Sequence, residues 1–133
     1  MMELTTLENG LRVASRTMPG AETAAVALHA ETGSRHEDAT LNGLAHLFEH
    51  MVFKGAGGRS AREISEADED VGGDLNASTD RELTAFYLSL LAPDLPLGIG
   101  ILADLVRRPH FEPKHLELEK KVVLQELAEA RDT

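Results

Sequence analysis

The sequence predicts an α+β fold in which helices pack on one face of a largely antiparallel sheet. Three observations carry that expectation. Asn9-Gly10 separates two short extended segments, a second pair of extended segments flanks Asp80-Arg81, and the stretches between and beyond them return apolar residues at helical spacing.

Asn-Gly readily takes the positive φ values of a type I′ turn, so LTTLENGLRVASR reads as an opening hairpin with such a turn. TAAVALHAETG alternates in part and ends at Gly33, which predicts a third strand packed on one face, with His29 structural or exposed. A polar connection, GSRHEDATLNG, follows. Leu41, Leu44, Ala45, Leu47, Phe48, Met51, Val52 and Phe53 then recur over about three and a half turns, the pattern of a buried helix. Gly55, Gly57 and Gly58 stop it. Ser60, with Glu63 three residues on, forms a capping box for a second helix to about Val71, which Gly72-Gly73 ends.

DLNASTDRELTAFYLSLLAPD reads as two strands around Asp80-Arg81, with Leu83, Phe86, Leu88, Leu90 and Leu91 available to a core. Beyond Pro93, LPLGIGILADLVRRP keeps helical spacing despite Gly98 and Gly100 until Pro109. The last element opens at Pro113 and runs KHLELEKKVVLQELAEARD as a long amphipathic helix. No internal repeat or low-complexity linker interrupts the order, and one unit is expected over residues 1–133.

With 42% hydrophobic and 27% charged residues, the composition is that of an ordinary soluble globular chain. Thirteen basic against 23 acidic residues argue against nucleic acid as a partner, because phosphate contacts are made mainly by Lys and Arg. Eight acidic residues between Glu63 and Glu82 read as a solvated helix face and a polar loop. The absence of cysteine excludes disulfides, thiolate zinc sites and cysteine nucleophiles, so any metal must use His and carboxylate. The start, MMELTTLENG, has neither a basic n-region nor an apolar h-region, and no stretch is long enough to span a bilayer. The default expectation is a cytoplasmic chain with no membrane partner.

The chemistry concentrates in HLFEH, residues 46 to 50. His46, Glu49 and His50 fall at about 0°, 300° and 40° around a helix, one narrow polar stripe on a largely apolar segment. Two imidazoles at i and i+4 suit a single zinc ion, and a carboxylate on the same turn suits the general base that takes a proton from zinc-bound water. Chance would produce H-x-x-E-H in a chain of this composition with a frequency of only about 0.03. Catalytic zinc wants a third protein ligand. The last helix offers Glu119 and Glu126, seven residues apart on one face beside Val122, Val123 and Leu127, and its pattern leaves both open.

These residues resemble the inverted-motif zinc peptidases of the pitrilysin, insulin-degrading enzyme and mitochondrial processing peptidase family, whose signature is H-x-x-E-H. LENGLRV is similar to the family's opening hairpin, GSRHE to its approach to the active helix, GLAHLFEHMVFKG to that helix, VGGDLNASTDRELTAFY to the following glycine and strand region, and ELEKKVVLQEL to the downstream glutamate helix. The resemblance implies that His46 and His50 bind Zn2+, that Glu49 is the base, and that the residue 76 positions beyond His50, which is Glu126, completes the ligand set. It makes Glu119 the acid that supports the ligand set without itself binding the metal. It further implies that NAST is an edge strand receiving an extended substrate, with Asn76 and Ala77 beside the scissile bond. Two departures stand out: ISEADEDVGG is more polar than the family's helix, and Ala56 stands where threonine is common.

The resemblance therefore implies a zinc-dependent metalloendopeptidase that acts on peptide or unfolded polypeptide. A family half is roughly two hundred residues and usually works against a second half. The expectation is that residues 1–133 form the N-terminal portion of a catalytic domain, an incomplete half-domain, with a second peptidase half or homologous subunit as partner. The alternative is a non-catalytic fragment or subunit that folds but acts only when assembled with that half.

Overall fold

Strands β1 (Met2–Thr6) and β2 (Arg12–Arg16) pair antiparallel, as the Asn-Gly signal predicts, in a computed structural model that describes residues 1–132. Residue 133 of the expected unit lies outside the described residues. The turn differs from the expectation. Leu7 N donates to Leu11 O (2.8 Å) and Gly10 N donates to Leu7 O (2.9 Å), and Gly10 takes a positive φ (87°) while Asn9 does not. This is a three-residue loop with a glycine bulge, not type I′, which needs both central residues at positive φ. Asn9 Oδ1 instead accepts from Leu11 N (3.0 Å), satisfying that donor without a left-handed Asn9.

The chain continues through β3 (Thr23–Ala30), α1 (Leu44–Val52), the short strands β4 (Gly55–Ala56) and β5 (Arg59–Ser60), α2 (Ala61–Asp70), β6 (Asp74–Thr79), β7 (Thr84–Leu91), α3 (Leu95–Arg107) and α4 (Pro113–Arg131). The fold is α+β, as expected, with β4 and β5 as elements the sequence did not announce. Strands β3, β7 and β6 form one antiparallel sheet in that order, so β6 is an edge.

Register explains the core. Leu28 and Ala77 flank Phe86, and Val26 and Leu75 flank Leu88, so one sheet face is apolar. Helix α3 lies over β3 and β7, while α1 and α2 reach β6. Val52, Ile64, Ile101, Leu102 and Leu105 join Phe86, Leu88 and Leu90 in one buried cluster. Leu91 is a correction: it is 51% exposed, because odd-numbered positions of β7 turn to the other face. Among the described residues no helix is long and apolar enough to cross a membrane.

Helix α1 is shorter and less buried than its apolar spacing predicts. Gly43 takes φ 94° just before it, so the helix begins at Leu44 rather than Leu41. Leu41 and Leu44 are each 50% exposed, whereas Met51 and Val52 are fully buried. The first turn borders an open cleft between α1 and α4, where Leu124 and Leu127 stand opposite, and the helix reaches the core from Phe48 onward.

The connection from α3 to α4 is pinned beside the end of α1. Gly57 N donates to Arg108 O (2.8 Å), His110 N donates to Gly55 O (2.9 Å), and Ala56 bridges Pro109. Phe111 then sets its ring 5.5 Å from Phe48. From this anchor α4 runs back along the face of α1 that is turned away from the core.

The two glycines of α3 differ in purpose. A Cβ on Gly98 would stand 2.6 Å from Leu90 Cδ2 and 2.9 Å from Leu88 Cδ2, so the missing side chain lets α3 close on β7. Gly100 has nothing within 4 Å. Gly100→Ala is therefore expected to stabilise the protein by about 0.5–1 kcal/mol through helix propensity and a less flexible unfolded chain. Gly98→Ala is expected to destabilise it by about 1–3 kcal/mol through overpacking. Urea unfolding of the two variants checks both signs.

Candidate metal centre

Helix α1 holds its polar stripe because its other side is spoken for. Phe48 and Val52 lie two residues beyond each histidine, about 200° around the helix, and pack into the core, Phe48 with its ring 6.4 Å from Phe86. The N-terminus of α1 is held by Glu37, whose Oε2 accepts from Gly43 N (2.7 Å) and whose Oε1 accepts from Ala45 N (2.6 Å). One carboxylate thus satisfies two donors that the first helical turn leaves without partners, at the positive end of the helix dipole.

On the outer side three donor atoms converge. His46 Nε2 and His50 Nε2 are 3.2 Å apart, His46 Nε2 lies 3.3 Å from Glu126 Oε2, and His50 Nε2 lies 3.5 Å from the same oxygen. His46, His50 and Glu126 are a set that could hold one metal ion. Two of the residues come from α1 and one from the fourth turn of α4.

Glu119, two turns before Glu126, faces the other nitrogen. His50 Nδ1–H donates to Glu119 Oε2 (3.0 Å), which places the ring proton on Nδ1 and leaves the Nε2 lone pair toward His46 and Glu126. Lys54 Nζ donates to the second oxygen, Oε1, at 3.0 Å. Glu119 is only 7% exposed. Burial pushes its carboxyl up, but the hydrogen bonds and charges of Lys54 and His50 together outweigh burial and hold it below the usual carboxylate range.

Glu49 points from α1 toward the sheet, where Thr79 Oγ1 donates a short hydrogen bond to its Oε2. Asn76 and Ala77 lie three and two residues before Thr79 on the edge strand β6. Asn76 is exposed and Ala77 half-buried, on opposite faces of the strand. Asn76 Oδ1 accepts from Ala77 N (2.8 Å), and Asp68 Oδ2 accepts from Leu75 N (3.1 Å), so these two outward donors are capped by side chains. A cleft of about 370 Å³ opens against His46 and Thr79, walled by Gly43, Asp80 and Leu127.

Residues 12–133 match the family described as Insulinase (Peptidase family M16). The chain belongs to that family. It is 42% identical over 126 residues to a probable mitochondrial-processing peptidase subunit beta of Arabidopsis thaliana, a match covering 95% of this chain and 24% of that protein. It is 43% identical over 124 residues to an uncharacterized zinc protease of Mycobacterium tuberculosis, covering 93% of this chain and 28% of the relative. Among solved structures, pitrilysin superposes with a TM-score of 0.87 at 34% identity, over 98% of this chain and 14% of that one. A protease from Helicobacter pylori superposes with a TM-score of 0.88 at 28% identity, over 95% and 30%. The chain spans about a quarter of the length of the first two of these relatives.

Three residues that contact the candidate site, Glu37, Lys54 and Thr79, have no local signal of that role in the sequence. Glu37 lies in the quoted GSRHE, but its contact with α1 closes over six and eight residues of irregular chain. Lys54 and Thr79 act across 65 and 30 residues and become visible only once α4 and β6 are placed. Glu37→Ala is expected to lower stability by about 1–2 kcal/mol, the usual cost of losing a helix N-terminal acceptor. Glu37→Gln should lose less, since the amide oxygen still accepts one bond. Chemical denaturation of both variants checks the order.

Proposed function

We propose that the chain carries the zinc site and general base of a metalloendopeptidase. His46, His50 and Glu126 are the ligands, Glu119 is the acid that orients His50, and Glu49 is the base. One observation carries the reading: the three donors form a triangle with sides of 3.2, 3.3 and 3.5 Å. Ligands about 2.0–2.1 Å from one tetrahedral ion stand roughly 3.3–3.4 Å apart, so the triangle fits zinc with its fourth position open. The donor chemistry agrees. The His50 Nε2 lone pair has another imidazole nitrogen and a carboxylate oxygen as neighbours, a grouping that a shared cation stabilises. The zinc proteases and processing peptidases among the relatives support the same class.

Zinc in such a set supplies Lewis acidity toward a peptide carbonyl and a lowered pKa for water. The chain's own residues do the remaining work. Glu119 fixes the His50 tautomer, and Lys54 keeps Glu119 charged. Glu49, with Oε2 taken by Thr79, uses Oε1 to accept a proton from the attacking water and to return it to the leaving amine. Strand β6 pairs an extended polypeptide, which replaces the Asn76 cap on Ala77 N–H as it docks.

The site is half open: the side chains of His46 and Glu126 are 33% and 46% exposed. In this reading residues 1–133 are the N-terminal portion of the catalytic domain, and a second peptidase half, on the same chain or on a homologous subunit, forms the opposite wall of the cleft.

Glu49→Gln is expected to retain zinc and lose about 10²–10⁴-fold in kcat, because the amide keeps the shape but accepts no proton. Glu126→Ala is expected to lose zinc. Elemental analysis alongside cleavage of a quenched peptide separates the roles, and full zinc retention in Glu126→Ala would remove it from the ligand set. Residues 1–133 alone should cleave that peptide far more slowly than a two-half protein at equal zinc occupancy, since effective molarity falls when one wall is missing. Equal rates would instead show a complete site within these residues.

A further inference from the structure

We infer that Thr79 is the positioning residue for Glu49, an inference that rests on Glu49 being the base. Thr79 ends β6 on the strand face that turns Leu75 and Ala77 toward the helices, and it is half-buried. Its hydroxyl donates to Glu49 Oε2, and among the described residues Glu49 makes no other side-chain hydrogen bond.

A glutamate carries three side-chain torsions, and a base must hold its oxygen within about 2.6–3.2 Å of the proton it takes. Glu49 is only half-buried, so packing alone does not fix its carboxylate, and Thr79 lines the open cleft beside His46. The Thr79 hydroxyl supplies the missing restraint. It occupies Oε2 and leaves Oε1 for proton transfer, and it keeps its own proton throughout, so Glu49 alone exchanges one with water and the leaving amine. Threonine suits the task better than serine, because its branched Cβ limits χ1 on a strand and aims the hydroxyl. The bond also joins two parts of the site. Glu49 rides on the helix that carries both histidines, and Thr79 rides on the edge strand two residues from Ala77, so a substrate seated along β6 is held by the same strand that aims the base.

The test uses the zinc-loaded protein with its full natural chain and compares Thr79→Val, Thr79→Ser and Glu49→Gln. Thr79→Val should lower kcat about 10- to 100-fold, the scale of a misplaced catalytic group, with KM within about twofold and zinc affinity unchanged. Thr79→Ser should recover most of kcat. A crystal structure of Thr79→Val should show the Glu49 carboxylate in a different rotamer, a readout that does not depend on turnover. If Thr79→Val does not fold, Thr79→Ala carries the same comparison. A kcat near wild type in the hydroxyl-free variant, or equal losses in the serine and hydroxyl-free variants, overturns the inference. Those outcomes beside an inactive Glu49→Gln leave the base assignment standing, whereas an active Glu49→Gln removes the base assignment itself.

Discussion

His46 and His50 bring two imidazole nitrogens within 3.2 Å of one another, and much of the structure serves to hold that approach. Two lone pairs at this distance repel unless a proton or cation stands between them. Glu119 draws the His50 proton to the far nitrogen, so His50 Nε2 faces His46 as an acceptor, open to a proton on His46 Nε2 or to the proposed cation. The helix cannot rotate to separate the rings from their surroundings, because Phe48 and Val52 are locked into the core on its opposite side. Nor can α4 drift away easily, since the connection before it is tied to residues 55–57 through Arg108, Pro109 and His110. A small unannounced ladder is thus what brings Glu119 and Glu126 to the histidines.

The carboxylates around α1 can be sorted by what balances them. Glu37 has the helix N-terminus, Glu119 has Lys54, and Glu49 has the Thr79 hydroxyl. Among the described residues, the partners of Glu126 are the imidazole nitrogens of His46 and His50. In a chain with a formal charge of -10, a fourth acid placed here adds to the repulsion unless a cation joins it. The charge pattern and the ligand geometry therefore support the proposed ion by separate routes.

Much of this was legible in the sequence, and the reason differs by element. The H-x-x-E-H turn was readable because a helix places i and i+4 together by its own geometry, independent of tertiary structure. The Ser60–Glu63 capping box was readable for the same local reason and forms as expected. Strand order and the edge position of β6 depend on pairing across the sheet, which hairpin signals only half specify. The choice between Glu119 and Glu126 could not be made from the periodicity of α4, since both lie on one face and the decision rests on which turn of α4 meets which turn of α1. The turn at Asn9-Gly10 and the exposed start of α1 misled for a shared cause: residue type allows a conformation, while hydrogen bonding and neighbouring elements select it.

The free edge of β6 explains where an extended chain would add under the proposed reading. An uncapped edge strand is a template for unwanted pairing, and this one is capped unevenly. Leu75 N–H is held by Asp68, a half-buried side chain of α2. Ala77 N–H is held by Asn76, an exposed neighbour that can turn away with no other change in the structure. Competition from an incoming backbone carbonyl is therefore easiest at Ala77 and hardest at Leu75. Docking is steered toward the end of β6 that reaches Thr79, and Thr79 is the residue bonded to Glu49. Under the proposed reading, the edge would admit a partner strand at the stretch that reaches Glu49 through Thr79.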